Sequence, residues 1–161
     1  MNKLIIITAL FFTSFVFALP EDAKQPIEIE AQSVIVDETT GFNEFSGKAE
    51  VRQGSLLLFA ELIRVQTDNE EVVSMIARGS LEKPAKYIQS QENQARFIEA
   101  TATLITYDVD EGMIFLVGNA HLVQGFDSFS GDTLNYDINN DKVVVKGSED
   151  GTERVKFKIV L

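Results

Sequence analysis

His121 is the single histidine of this chain, and there is no cysteine. A metal centre built on imidazole or thiolate therefore has at most one such ligand, and a nucleophile has at most one imidazole to activate it. His121 sits in the segment Ala120-His121-Leu122, and its counterpart 71 residues upstream is Glu50. It is expected at a solvent-facing strand position without a chemical role. Two acidic clusters remain: Asp108, Asp110 and Glu111, then Asp137 to Asp141. A calcium loop needs more oxygen ligands at alternating positions than either supplies, so both read as solvated hairpin turns. With 25 Asp and Glu in the chain, a carboxylate pair suited to glycoside hydrolysis carries no signal. No serine elbow, phosphate loop or paired-histidine motif occurs. The sequence thus predicts no catalytic residue, no metal ligand and no cofactor.

What organises the chain is repetition. Gly47 to Gln66 and Gly118 to Asp137 lie 71 residues apart and share Gly-x-Ala-x-apolar-x-Gln-Gly: Gly47, Ala49, Val51, Gln53, Gly54, then Gly118, Ala120, Leu122, Gln124, Gly125. Inside this repeat a seven-residue word occurs four times, as AQSVIVD from Ala31, AELIRVQ from Ala60, ATLITYD from Ala102 and GDTLNYD from Gly131. Its fourth and sixth positions are apolar in every copy, and period two is the strand period. A polar turn follows each word, and a second apolar run then ends at Gly47, Gly79, Gly118 or Gly147. The unit is strand, tight turn, strand, glycine corner. Four such units predict an all-β, stacked antiparallel architecture with no ordinary helix.

The first 18 residues stand apart. Asn2-Lys3 precedes an apolar run from Leu4 to Phe17, and Val16 and Ala18 suit a cleavage site. This is read as a signal peptide cut after Ala18, too short to span a bilayer. Residues 19–161 then form one domain. The net charge of −11 excludes bulk electrostatic binding of nucleic acid. An exported chain without cysteine folds on its core alone and offers no thiol for N-terminal lipidation.

Along this domain, Ile27 and Ile29 alternate with Glu28 and Glu30 after Pro26, a half-buried strand. The apolar parity slips between Ile29 and Val34, which predicts a bend at Ala31-Gln32-Ser33. Gln53-Gly54-Ser55 and Ser148-Glu149-Asp150-Gly151 read as hairpin turns. Lys83-Pro84-Ala85 interrupts the pattern before short strands at Lys86 to Gln89 and Ala95 to Ala100, with a polar loop at Ser90 to Gln94. Arg154 to Leu161 alternates Val155, Phe157 and Ile159 with Lys156 and Lys158 and reads as a terminal edge strand. The repeat register stacks Val36, Val65, Tyr107 and Tyr136 at one level, and Val34, Ile63, Ile105 and Leu134 at the next. These form either an ordinary packed core or an apolar slot for acyl chains.

The words QPIEIEAQSVIVD, GKAEVRQGS, KPAKY, YDVDEGMIFLVGNAHLVQG and FSGDTLNYDINNDKV, from about Gln25 to Asp141, resemble the OstA-like family of periplasmic lipopolysaccharide-transport proteins. Gln32 departs from the pattern, which has an acid there, as Glu61 and Asp132 do. The resemblance implies a twisted antiparallel β-jellyroll, periplasmic and non-catalytic, whose groove shields the acyl chains of lipid A. It implies head-to-tail homo-oligomers that join an LptC-like inner-membrane protein at the N-terminal end to an LptD-like outer-membrane translocon at the C-terminal end. By motif, Ile27, Ile29, Tyr87 and Tyr107 fall at groove positions. Val36, Ile63, Val65, Leu134 and Tyr136 join them through the repeat register. The partner edges expected are Ile27, Glu28 and Ile29 at one end, and Val155, Phe157 and Ile159 at the other. The alternatives are a structural β-solenoid with a filled core, a polysaccharide-active β-helix enzyme, or an LptC-like component of the same fold. The leader without a following anchor argues against the last.

Overall fold

The computed structural model describes Asp22 and residues 25–69, 71–91 and 96–160. The leader at residues 1–18 and its cleavage point lie outside the described residues, as do Leu161 and most of the loop after Ser90. Twelve strands form one antiparallel sheet: β1 (Ile27–Glu30), β2 (Ser33–Asp37), β3 (Phe42–Gln53), β4 (Leu56–Asp68), β5 (Glu71–Arg78), β6 (Ala85–Gln91), β7 (Arg96–Ala102), β8 (Leu104–Asp108), β9 (Met113–Gln124), β10 (Asp127–Asp137), β11 (Lys142–Lys146) and β12 (Lys156–Lys158). No helix of a full turn occurs among the described residues.

The sheet is folded over on itself. The four long strands β3, β4, β9 and β10 each run through both layers, and the shorter strands belong to one. The first layer is four consecutive hairpins, β2/β3, β4/β5, β8/β9 and β10/β11, joined side by side by the pairs β3·β4, β5·β8 and β9·β10. These hairpins are the four repeated units. The second layer is made of what lies between them, in the order β1, β3, β4, β6, β7, β9, β10, β12.

The corner between layers has a backbone cause. Gly47-Lys48 in β3 and Gly118-Asn119 in β9 take φ of 81°, 52°, 79° and 49°, and the ladder shifts register at both places. Two successive left-handed residues make a bulge that turns a long strand out of one layer into the other. Glycine is required at the first of them. A Cβ on Gly47 would collide with the Gln32 side chain, and one on Gly118 with the Thr103 hydroxyl. Gln32 and Thr103 hold the same position in their words, beside the glycine that closes the unit. Thr103 N–H donates to Gly118 O at 3.0 Å, and its hydroxyl donates to Val117 O at 2.8 Å.

The parity slip between Ile29 and Val34 now has its reason. The chain breaks at Ala31-Gln32, and β1 and β2 pair with opposite halves of β3: Ile29 stands against Val51, and Val34 against Phe45. The same change of parity recurs between Leu58 and Ile63 in β4 and between Phe129 and Leu134 in β10, whereas β3 and β9 keep their parity through the two-residue bulge.

The expectation for the C-terminus needs correction. The chain does turn at residues 148–151, where Gly151 N–H donates to Ser148 O at 3.1 Å. But the strand that follows does not pair with β11. After Gly147 the chain crosses to the second layer, where β12 lies against β10, Phe157 opposite Phe129. Only Lys156–Lys158 is extended ladder, so Val155 and Ile159 flank a short strand. The corner glycine dictates this, since leaving the first layer takes the chain away from β11.

Candidate functional site

The two inner faces meet along an apolar interior. In the first layer one ladder carries Val34, Phe45, Ile63, Ala77, Ile105, Leu116, Leu134 and Val145, and the next Val36, Asn43, Val65, Met75, Tyr107, Ile114, Tyr136 and Val143. The second layer opposes them with Ile29, Val51, Leu58, Tyr87, Ala100, Leu122 and Phe129. The layers touch directly: the rings of Tyr87 and Tyr107 meet edge to face, centroids 5.7 Å apart. In the middle of the molecule the inward side chains are packed on one another, and Ile63, Val65, Tyr87, Tyr107, Leu134 and Tyr136 are buried. At the ends they are not. Val36 shares the level of Val65, Tyr107 and Tyr136, yet it is 61% exposed because β2 has a strand on one side only. Ile27 and Ile29 on β1 are half-buried.

Four strands end the sheet. Among the described residues β1 and β2 each pair only with β3, while β11 and β12 each pair only with β10. Ile27, Glu28 and Ile29 thus stand on a free edge, as does Phe157 at the opposite end, 69% exposed. The sequence reading missed β2 and β11 as edges. The signal was present, because the first and last of four side-by-side hairpins necessarily lack an outer neighbour.

Opposite the glycine corners no strand among the described residues joins the layers, and polar side chains line the gap. Three glutamines point inward from the rim of the second layer and are buried: Gln53, Gln89 and Gln124. A buried amide is tolerated only when hydrogen-bonded, and each has partners. Gln53 Nε2 donates to Gln25 O at 3.2 Å. Tyr87 O–H donates to Gln89 Oε1 at 2.6 Å, and Gln89 Nε2 donates to the Asp22 carboxylate at 2.9 Å. Ser55 fixes the same carboxylate: its N–H donates to Asp22 Oδ1 at 2.8 Å, and its hydroxyl donates at 2.6 Å to Oδ2, the oxygen that accepts from Gln89. Gln124 Nε2, from the second layer, donates to Tyr136 Oη at 3.2 Å and to the Asp141 carboxylate, which also accepts the Tyr136 hydroxyl at 3.2 Å.

These surroundings act on the tyrosines. Burial, then the negative charges of Asp22 and Asp108, push the Tyr107 hydroxyl up to about 12. Burial pushes Tyr87 well above the ordinary phenol value, with Tyr107, Asp22 and Tyr136 adding to it. Both rings are therefore neutral at any physiological pH.

The acidic clusters cap turns. Asp37 accepts from Thr39 N–H at 2.9 Å, Asp108 from Glu111 N–H at 2.9 Å, and Asp137 from Asn140 N–H at 2.9 Å. Hydrogen bonds from Thr40 and Asn140 hold the Asp37 and Asp137 carboxyls below their usual value. Among the described residues no three His, Cys, Asp or Glu are grouped to hold a metal ion, and no helix is long and apolar enough to cross a membrane. His121 is half-buried on the outer face, its Nδ1 2.7 Å from the Ser130 hydroxyl on the neighbouring strand.

The fold and its interior define a folded-over antiparallel β-jellyroll whose end strands pair on one side only. Residues 28–155 match the family described as LptA/(LptD N-terminal domain) LPS transport protein, and the chain belongs to that family. It is 28% identical over 147 residues to the lipopolysaccharide export system protein LptH of Pseudomonas aeruginosa, covering 91% of this chain and 82% of that protein. It is also 28% identical over 142 residues to the lipopolysaccharide export system protein LptA of Escherichia coli K12, covering 88% of this chain and 76% of that one. The crystal structure of LptH, titled the LptA-homologous periplasmic component of the lipopolysaccharide transport device of Pseudomonas aeruginosa, superposes with a TM-score of 0.77 over 88% of this chain and all of that one, at 24% identity. That likeness establishes the fold.

Proposed function

We propose that this chain is a periplasmic, non-catalytic carrier of lipopolysaccharide. It holds the lipid's acyl chains between its two layers on the way from the inner to the outer membrane. The observation that carries this reading is the continuity of the inner apolar face. The ladder from exposed Val34 on β2 to half-buried Val145 on β11 is apolar throughout, and the one from Val36 to Val143 is apolar except at Asn43. Ile27, Ile29, Ile63, Val65, Tyr87, Tyr107, Leu134 and Tyr136 complete the surface. An acyl chain in water costs about 0.8 kcal/mol per methylene, and such a face removes that cost without any reaction. The free strands β1 and β2 at one end, and β11 and β12 at the other, suit head-to-tail addition of further copies. An LptC-like protein would add at the N-terminal end and an LptD-like translocon at the C-terminal end. Because the two ends differ, such a stack is open and forms rods.

The burial of Tyr87 and Tyr136 at 0% exposure favours a second reading, a structural module whose core stays filled. A photo-crosslinking amino acid at position 107 separates the two. Capture of lipopolysaccharide in cells supports the carrier. No capture at 107, with a control residue on the outer face equally silent and the protein folded, supports the filled module.

A further inference from the structure

We infer that the lipid enters sideways, through the seam opposite the glycine corners, and that the contact made by Gln124 across it is a latch that releases for entry. This rests on the carrier reading. Tyr87, Ile105, Leu116 and Tyr136 fill the middle of the interior and are fully buried, so an acyl chain gains room only when the layers part. On the corner side they cannot part, because β3, β4, β9 and β10 pass covalently from one layer to the other. That side is the hinge. On the opposite side the described residues are connected by side-chain hydrogen bonds from Gln124 of the second layer to Tyr136 and Asp141 of the first.

The chemistry of the rim suits a closure that reopens. Along the inner edge of the second layer apolar and amide side chains alternate from strand to strand: Ile27, Gln53, Leu56, Gln89, Ile98, Gln124. An amide or carboxylate freed from its partner is taken up by water, so breaking such a bond at a solvated mouth has a small net cost. A wholly apolar rim would instead expose its side chains each time it opened. Next to Gln124, Phe126 in the β9–β10 turn is 84% exposed, and Phe97 is 42% exposed. Gly125 N–H donates to Phe97 O at 3.0 Å, which ties together the two chain segments that carry these residues. They give an acyl chain an apolar landing beside the latch.

The chain has no cysteine, so a Gln124→Cys/Asp141→Cys double variant can be bridged across the seam with a reducible bifunctional thiol crosslinker. Uptake of fluorescent lipopolysaccharide is measured in the wild type and in the variant before bridging, after bridging and after reduction. The unbridged variant, lacking the latch, is expected to load about tenfold faster than wild type, the size of one charge-assisted hydrogen bond. Bridging should reduce uptake at least to a tenth of the unbridged rate, and reduction should restore it. Lipid loaded before bridging should stay bound through dilution. A Glu44→Cys/Arg64→Cys pair, bridged within the first layer where these side chains form an ion pair at 2.7 Å, should load normally. A Gln124→Cys/Asn140→Cys pair, which leaves Asp141 in place, repeats the experiment across the same seam if the first variant does not fold. Equal uptake by bridged and unbridged protein would overturn the inference and route the lipid through the ends of the sheet. If the wild type itself takes up no lipid, the carrier reading fails, and the latch inference fails with it.

Discussion

Raising the pH should destabilise the packed interior through Tyr107. In the folded chain its hydroxyl is held up to about 12, two units above the phenol value of 10.0 expected once unfolded. Below pH 10 the proton is bound in both states and has no influence on stability. Between about 10 and about 12 the unfolded state gives up the proton and the folded state keeps it. The unfolded state then binds fewer protons, and stability falls as pH rises. Above about 12 this loss is complete. Each unit is worth about 1.4 kcal/mol, so Tyr107 contributes a fall of about 3 kcal/mol, a large share of the roughly 5–15 kcal/mol typical of a domain. Tyr87, pushed further by full burial, adds to the decline. Tyr107→Phe keeps the edge-to-face ring contact with Tyr87 and removes only the titrating group. Urea midpoints and tyrosinate absorbance should therefore be compared between wild type and Tyr107→Phe across the alkaline range. Wild-type stability should fall more steeply than the variant's between pH 10 and 12. If the difference spectrum shows Tyr107 ionising at its ordinary value while the protein stays folded, the packed interior described here is wrong.

Two further perturbations test the architecture. Gly118→Ala forces a side chain onto a left-handed residue and into the Thr103 hydroxyl, which should cost about 2–4 kcal/mol in urea unfolding from backbone strain plus a lost hydrogen bond; adding Thr103→Ala should recover about 1 kcal/mol of it. Val65→Asp places a charge at a position 2% exposed and should unfold the chain, whereas Val36→Asp, on the same ladder but 61% exposed, should change stability by less than about 0.5 kcal/mol and weaken concentration-dependent rod formation in light scattering.

The sequence by itself determined the first layer. Each copy of the seven-residue word contains two strand-spaced apolar positions followed by a turn. A hairpin is a local object, so Val34 to Phe45 or Leu134 to Val145 could be aligned from spacing alone. The levels shared by Ile63, Ile105 and Leu134, and by Val65, Tyr107 and Tyr136, followed from stacking the copies in register, and the observed ladders contain them. The family resemblance supplied what spacing could not, the jellyroll and a role in moving lipid.

Tertiary structure alone decided three things. The segments between the hairpins form a second layer, because the Gly47-Lys48 and Gly118-Asn119 bulges redirect whole strands, a consequence of backbone angles that period-two patterning does not encode. β12 pairs with β10 and not with its sequence neighbour β11, since a corner glycine sends the chain to the other layer before it can form a hairpin. Gln124 meets Tyr136 and Asp141, and Gln89 meets Asp22, 67 residues away. In the sequence these are ordinary polar residues beside turns; the rim of the second layer gathers Gln89 and Asp22, and the closing of one layer over the other brings Gln124 to Tyr136 and Asp141.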